Sequence, residues 1–158
     1  MSLKVDIEFT LNGRTVTATV PASASALEVM NKSFDLAGAK LACGEGECGA
    51  CTMIIDGDSR NSCLFPAVDL HGRNVETVEG LWNGKGIDPL QEAFLEQGAV
   101  QCGFCTPGMV MQAKYLLNQN RPLTAEEVRR GLEGNVCRCT GYQKIIDAVV
   151  AASQPSQT

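Results

Sequence analysis

A chain of 158 residues has room for one ordinary domain or two small ones, and 44% hydrophobic against 20% charged residues reads as a globular rather than a disordered chain. A net charge of −5 argues against nucleic acid or an anionic membrane as the main partner, and no apolar run approaches the roughly 20 residues of a membrane span. Met1 to Phe9 alternates like a strand and shows neither a basic leader nor twin arginines, so no export signal is read and a cytoplasmic chain is expected.

In chain order, Val5, Ile7, Phe9 and Leu11 alternate with polar residues, Asn12-Gly13 accepts positive φ, and Val16, Ala18 and Val20 resume the alternation. That predicts a hairpin. Ser25 and Glu28 have capping-box spacing and open a helix with Leu27, Met30 and Phe34 on one face. A glycine-rich loop runs from Ala42 to Ala50. Strands are expected at Thr52 to Asp56 and Ser59 to Phe65, with a turn at Gly57 and a short edge strand at Asn74 to Val78. This order predicts an α+β unit with a helix packed on a mixed sheet.

Gly80 to Gly86 reads as a linker, and beyond it the pattern turns helical. Asp88-Pro89 opens a helix with Leu90, Ala93 and Phe94 inward, stopped by Gly98. Pro107 to Asn118 carries Met109, Val110, Ala113, Leu116 and Leu117. Thr124 and Glu127 form a second capping box ahead of Val128 and Leu132. A last helix after Gly141 carries Ile145, Ile146, Val149 and Val150 and ends at Ala151-Ala152. Four short helices can bury a core only as a bundle.

Eight cysteines carry the chemistry, in two sets with no remainder. Cys43, Cys48, Cys51 and Cys63 have the spacing C-x4-C-x2-C…C, the plant-type pattern for a [2Fe–2S] cluster. Three thiolates from one tight loop need abrupt turns, which Gly44, Gly46 and Gly49 permit, and a fourth is expected from a neighbouring strand. Those glycines also match G-x-G-x-x-G, but the run leads into the strand pattern Thr52 to Ile55 rather than a helix, so a nucleotide site is rejected.

The second set is Gln101-Cys102-Gly103-Phe104-Cys105-Thr106-Pro107-Gly108 with Asn135-Val136-Cys137-Arg138-Cys139-Thr140-Gly141-Tyr142. Each half places two cysteines just before a helix start, with Thr106 as the expected N-cap and Pro107 as the first helical residue. Two helix N-termini would then face four sulfurs, which suits a negatively charged iron–sulfur cluster. The echo of Cys-Thr-Pro-Gly in Cys-Thr-Gly-Tyr suggests a local two-fold between those helices. Zinc is the competing occupant of both sets. The single-residue gap between Cys137 and Cys139 fits it poorly, and Cys63 has no close partner for a zinc ribbon. His71, the sole histidine, reads as a solvated loop residue, Arg138 as a surface residue or an orienter of its neighbours, and Trp82 as a packing anchor. Glu45 and Glu47 would lower the reduction potential of a cluster held by their loop.

Both motifs together resemble the small iron–sulfur subunit of the molybdenum hydroxylases, the xanthine oxidase, aldehyde oxidoreductase and carbon monoxide dehydrogenase family. The resemblance spans about Leu3 to Ala152. It implies an N-terminal β-grasp ferredoxin-like [2Fe–2S] domain at residues 1–80 and a C-terminal all-α four-helix [2Fe–2S] domain at 81–158. Within the second, 81–86 would be linker and 153–158 a disordered tail. It also implies metal ligation by Cys43, Cys48, Cys51, Cys63, Cys102, Cys105, Cys137 and Cys139. The Cys102 set would lie nearest a molybdopterin cofactor, which Gln101 and Cys139 would touch. That pterin would be held mainly by a large partner subunit, FAD would sit on a medium subunit facing the ferredoxin-like cluster, and the assembly would be a dimer of heterotrimers.

The function so implied is electron transfer for a hydroxylation carried out on another chain. The absence of a nucleophile–base pair, a phosphate loop or a Ser/His/Asp constellation agrees with it. A freestanding ferredoxin-type carrier is the alternative; it accounts for Cys43 to Cys63 and leaves the helical half without a purpose. A zinc-stabilised interaction module is the third reading.

Overall fold

The structure is a computed structural model that describes residues 3–82, 84, 86–119 and 121–154. It is α+β. Strands β1 (Lys4–Leu11) and β2 (Arg14–Pro21) form a hairpin in the register Lys4↔Pro21 to Leu11↔Arg14, with Asn12 and Gly13 both at positive φ in the turn. Helix α1 (Ala26–Ser33) follows, with the reciprocal Ser25–Glu28 capping box at its start. Strands β3 (Thr52–Ile55), β4 (Asp58–Asn61) and β5 (Asn74–Glu76) complete a mixed sheet ordered β2-β1-β5-β3-β4.

Two of these strands depart from expectation. Strand β5 is central, not an edge: it pairs parallel with β1 and antiparallel with β3, and Val75 is fully buried. Strand β4 stops at Asn61, because the Ser62 hydroxyl turns back to donate to the Cys51 carbonyl at 2.6 Å. Cys63 therefore arrives from a turn rather than from a strand.

Helices α2 (Pro89–Glu96), α3 (Thr106–Leu117), α4 (Ala125–Gly131) and α5 (Gln143–Ser153) make up the second half. Asp88 caps α2 by accepting from Leu90 N and also receives Lys114 Nζ of α3 at 2.8 Å, so one buried carboxylate ties two helices. Gly98, at φ +61, ends α2. The Thr124–Glu127 capping box opens α4. Helix α3 starts one residue earlier than expected: Cys105, not Thr106, is the N-cap, and Pro107 is second. Helix α5 starts after Tyr142, so the two helices begin at different offsets from their cysteines. Ser153, expected in the tail, is the last residue of α5 and accepts from Leu123 N; residues 155–158 lie outside the described residues.

In the segment expected as linker, a 3-10 turn runs from Val78 to Leu81, and Leu81 enters the helical core; positions 83 and 85 lie outside the described residues. Trp82 does not anchor anything there, being 66% exposed. The exit from the sheet is fixed instead by Asn12, which donates to Thr77 Oγ1 and accepts from Thr77 N.

There are two apolar cores. One lies between the sheet and α1, around Phe9, Leu27, Met30 and Met53; the other lies among the helices, around Phe94, Met109, Leu132 and Ile145. Strand β3 serves both, with Met53 and Ile55 in the first core and Ile54 in the second. All four of its residues are buried, as a strand covered on both faces must be. No helix among the described residues is long and apolar enough to cross a membrane.

The halves meet most closely at Gly108 of α3. A Cβ there would overlap the Gly49 carbonyl oxygen and lie 3.1 Å from Ala50 Cα. Gly108→Ala is expected to cost about 1–3 kcal/mol by overpacking, read as a lowered denaturation midpoint. Gly86→Ala, with open space around it, should leave the midpoint unchanged.

Candidate functional site

The first thiol set sits on the loop between α1 and β3. Gly44, Gly46 and Gly49 all have positive φ, so the chain reverses sharply enough to bring the thiols together and turn amides towards them. The Glu45 N–H donates to Cys43 Sγ at 3.4 Å. Asn61 Nδ2 holds the Gly46 carbonyl at 2.6 Å, pinning the loop to the end of β4 beside Cys63. Cys43 is exposed, Cys48 and Cys63 are half-buried and Cys51 is buried.

The second set combines the loop before α3 with the loop before α5. Cys102 and Cys139 are exposed, Cys105 is half-buried and Cys137 is buried. Thr140 holds Cys137 Sγ through both its hydroxyl at 3.1 Å and its N–H at 3.5 Å. The Cys137 N–H donates to the Tyr142 hydroxyl at 2.9 Å, which closes the loop on itself. Tyr142 does this at φ +69, a strained conformation for a bulky residue. Gln101 is exposed beside Cys102, and Arg138 is exposed between Cys137 and Cys139. His71 lies on a surface turn away from both sets, its Nδ1 accepting from Glu8 N.

All eight thiols are free, and within each set they bear on one another: Cys48 on Cys43, Cys51 and Cys43 on Cys63, Cys137 and Cys102 on Cys105, and Cys102 and Cys137 on Cys139. Among the described residues no three Cys, His, Asp or Glu side chains converge as ligands of one metal ion would. Each set gathers four thiols from the chain, the donor number of a [2Fe–2S] cluster held by cysteines alone. Both donor sets therefore fit a [2Fe–2S] cluster.

The electrostatics differ from thiol to thiol. The Glu45 N–H, helped by the Cys48 thiol and further loop amides, holds Cys43 down to about 6, so it is a thiolate at neutral pH. Burial pushes Cys63 up to about 11 and Cys105 up to about 12, with the neighbouring thiols Cys51 and Cys137 adding to the rise. Burial also opposes ionisation of Cys137, but the Thr140 hydroxyl and the amides of Thr140 and Cys139 outweigh it and leave that thiol below its usual range. Cys139 is raised, first by its contact with Cys102. Cys63 and Cys105 thus hold protons that metal ligation would release.

The two sets are joined directly. Val136 N donates to the Cys48 carbonyl at 2.9 Å, and Asn135 Nδ2 donates to the Gly49 carbonyl at 3.0 Å and to Thr52 Oγ1 at 3.2 Å. Sequence reasoning missed Thr52, Asn61 and Asn135 as supports. The available signal was a polar residue placed directly beside each cysteine-bearing segment.

Comparison with known proteins decides the family. A family model described as "2Fe-2S iron-sulfur cluster binding domain" matches residues 9–77, and one described as "[2Fe-2S] binding domain" matches residues 77–150. The chain is 46% identical to the nicotine 6-hydroxylase small subunit of Paenarthrobacter nicotinovorans, over 94% of this chain and 90% of that one. It is 42% identical to the xanthine dehydrogenase iron-sulfur-binding subunit of Escherichia coli O157:H7, over 92% of each. The chain belongs to the small iron–sulfur subunits of the molybdenum hydroxylase family. A chain in the crystal structure of quinoline 2-oxidoreductase from Pseudomonas putida 86 superposes with a TM-score of 0.92 at 40% identity, covering 95% of this chain and 94% of that one. Proteins of this family are subunits of oxidoreductase complexes, and membership supports an electron-transfer role and the need for partner subunits.

Because the sets rest on different elements, Cys48→Ser is expected to abolish the cluster signal of the first set and largely spare the second. Cys105→Ser should do the reverse and also weaken the helical half, which loses its tie when the metal goes. Electron paramagnetic resonance of the two variants tests this; loss of both signals from either variant, with the fold intact, would contradict it.

Proposed function

We propose that this chain is the electron-transfer subunit of a multi-subunit molybdenum hydroxylase. It passes electrons from a molybdopterin centre in a large subunit to a flavin subunit or an external acceptor, while an aldehyde, N-heteroaromatic or related small substrate is hydroxylated elsewhere. Cys43, Cys48, Cys51 and Cys63 hold one [2Fe–2S] cluster, and Cys102, Cys105, Cys137 and Cys139 hold the other. Bound there, each cluster supplies reversible one-electron storage. On this reading residues 1–80 are a ferredoxin-like β-grasp domain and 81–158 a four-helix domain, which the two separate apolar cores support.

The observation that carries the proposal is the gradient of exposure across two joined sets. In the second set the Cys102–Cys139 pair faces outward beside Gln101, while the Cys105–Cys137 pair faces inward. The inner pair is one residue from Val136, whose N–H meets the carbonyl of Cys48 in the first set. Cys43, paired with Cys48, is again exposed. The chain thus offers a surface entrance, a short bonded bridge and a surface exit, and no group that makes or breaks substrate bonds. Gln101 is placed to present an amide to the polar edge of the pterin beside the Cys139 thiolate. Leu41 and Leu64, both exposed beside the first loop, form an apolar rim around Cys43 that suits a covering subunit.

The purified native complex should contain iron and acid-labile sulfide in equal amounts, about two of each per thiol set, and a larger pterin-binding chain should co-elute. Gln101→Ala should keep cluster content and slow reduction of the nearer cluster, or loosen the pterin, in rapid mixing with substrate. A colourless protein, or a chain that shuttles electrons between unrelated reductases and binds no larger subunit, would overturn the proposal.

A further inference from the structure

The contact between the two thiol sets contains one side chain that neither set uses for its own closure. Asn135 is 4% exposed, lies two residues before Cys137, and directs its amide away from Cys137 to the first loop. Its Nδ2 reaches the Gly49 carbonyl and the Thr52 hydroxyl oxygen, both as acceptors. Thr52 is committed to that role, because its own hydroxyl proton goes to the Gly49 carbonyl at 2.7 Å. Only an NH2 group, with two protons, satisfies both partners. The fit is close: Gly49 sits at φ +65, and a Cβ on it would come within 2.5 Å of the Gly134 carbonyl oxygen and overlap the Asn135 amide.

We propose that Asn135 is a positioning residue for electron transfer between the two clusters. Its amide straps the segment leading to Cys137 onto the loop carrying Cys48 and Cys51, and so keeps the Val136 N–H on the Cys48 carbonyl. With [2Fe–2S] clusters held by the two sets, the chemistry supplied would be one-electron exchange, the cluster of the Cys102 set oxidised as that of the Cys43 set is reduced, with no bond formed or broken and no proton required; Asn135 would hold the two sets at the spacing for it. The inference rests on the electron-transfer reading above, and it adds a residue that is not a ligand.

A polar cavity of about 210 Å³ beside the strap, lined in part by Thr52, Arg60, Gln112 and Asn135, admits water when the amide is removed. Water can then satisfy the Gly49 carbonyl, which already holds the Thr52 hydroxyl and N–H, so the fold tolerates the change while the spacing relaxes. Asn135→Asp is harsher, since a carboxylate would face the Gly49 carbonyl oxygen without a proton to share.

The test uses the assembled complex with both clusters bound, reduced, and examined by electron paramagnetic resonance for the magnetic splitting between the clusters. Asn135→Ala should retain iron, sulfide and the individual signal of each cluster, lose the splitting, and show a lag between reduction of the second-set cluster and the first-set cluster. Thr52→Val, which keeps the shape and removes the acceptor, should show the same changes more weakly, and it decides alone if Asn135→Ala does not fold. Splitting and lag unchanged in both variants, or a wild-type complex without splitting, would overturn the positioning role and leave the electron-transfer reading standing. Loss of iron from the Cys102 set in both variants would overturn it too, by making Asn135 a support of one cluster. A wild-type complex with no cluster in either set would instead remove the reading beneath it.

Discussion

Gly49 has no room for a side chain, and the relation between the two halves depends on that. Asn135 and Gly134 close on its α-carbon, while its carbonyl oxygen occupies the space where Gly108 would carry a Cβ. The loop bearing three thiols of the first set is therefore gripped between the first turn of α3 and the segment entering Cys137. Both gripping segments carry ligand candidates of the second set: Gly108 stands three residues after Cys105, and Asn135 two residues before Cys137. Close approach of backbone to backbone is a use of glycine that no other residue can fill. It fixes the sets through main-chain atoms, which move less than side chains when charge is added or removed.

The same junction explains the composition of β3. A strand of a solvated antiparallel sheet would alternate apolar and polar residues, whereas Thr52, Met53, Ile54 and Ile55 are all buried. Met53 and Ile55 fill the core under α1, and Ile54 lies in the helical core with Met109 and Val110 of α3. Thr52 is the polar exception, and its hydroxyl is used on Gly49 and Asn135. A buried polar group must be hydrogen-bonded to be tolerated; the hydroxyl proton of this threonine is met within its own loop, and the bond its oxygen accepts depends on the two halves staying in register.

What was legible in the sequence was local. The Asn12-Gly13 hairpin, the capping boxes at Ser25 and Thr124, and the Asp88-Pro89 helix start all depend on residues within four positions of one another, and all formed as read. The cysteine spacing carried the neighbours within one loop for the same reason, whereas Cys63 and the two halves of the second set are brought in over longer stretches of chain. Features set by distant partners were not legible. Strand β5 became central because Leu11 and Ile55, far from Val75 in the chain, bracket it. Cys63 left its strand because Ser62 turned back to Cys51. Cys105 took the cap position expected of Thr106, so the backbone of α3 begins at a thiol. Asn135 bonds to a residue 86 positions earlier, a pairing that no local pattern encodes.

Burial of the thiols sets a further requirement on the assembly. Cys105 and Cys63 are pushed upward by burial, so as thiolates they are tolerable only when metal shares their charge. The outer thiols Cys43, Cys102 and Cys139 are open to water, and exposed apolar residues lie on the same segments: Leu41 at 63% exposure and Leu64 at 58% beside the first loop, and Phe104 at 47% between Cys102 and Cys105 in the chain. A relay needs its donor and its acceptor close to the redox group, and it also needs water kept off the thiolates. A rim of exposed apolar side chains around exposed sulfur meets neither need in a lone chain. Under a partner surface it meets both, because covering the rim excludes water at the point where the partner's redox centre comes nearest. On the electron-transfer reading, the features that leave this chain incomplete by itself are therefore the ones that point to where a partner subunit would dock.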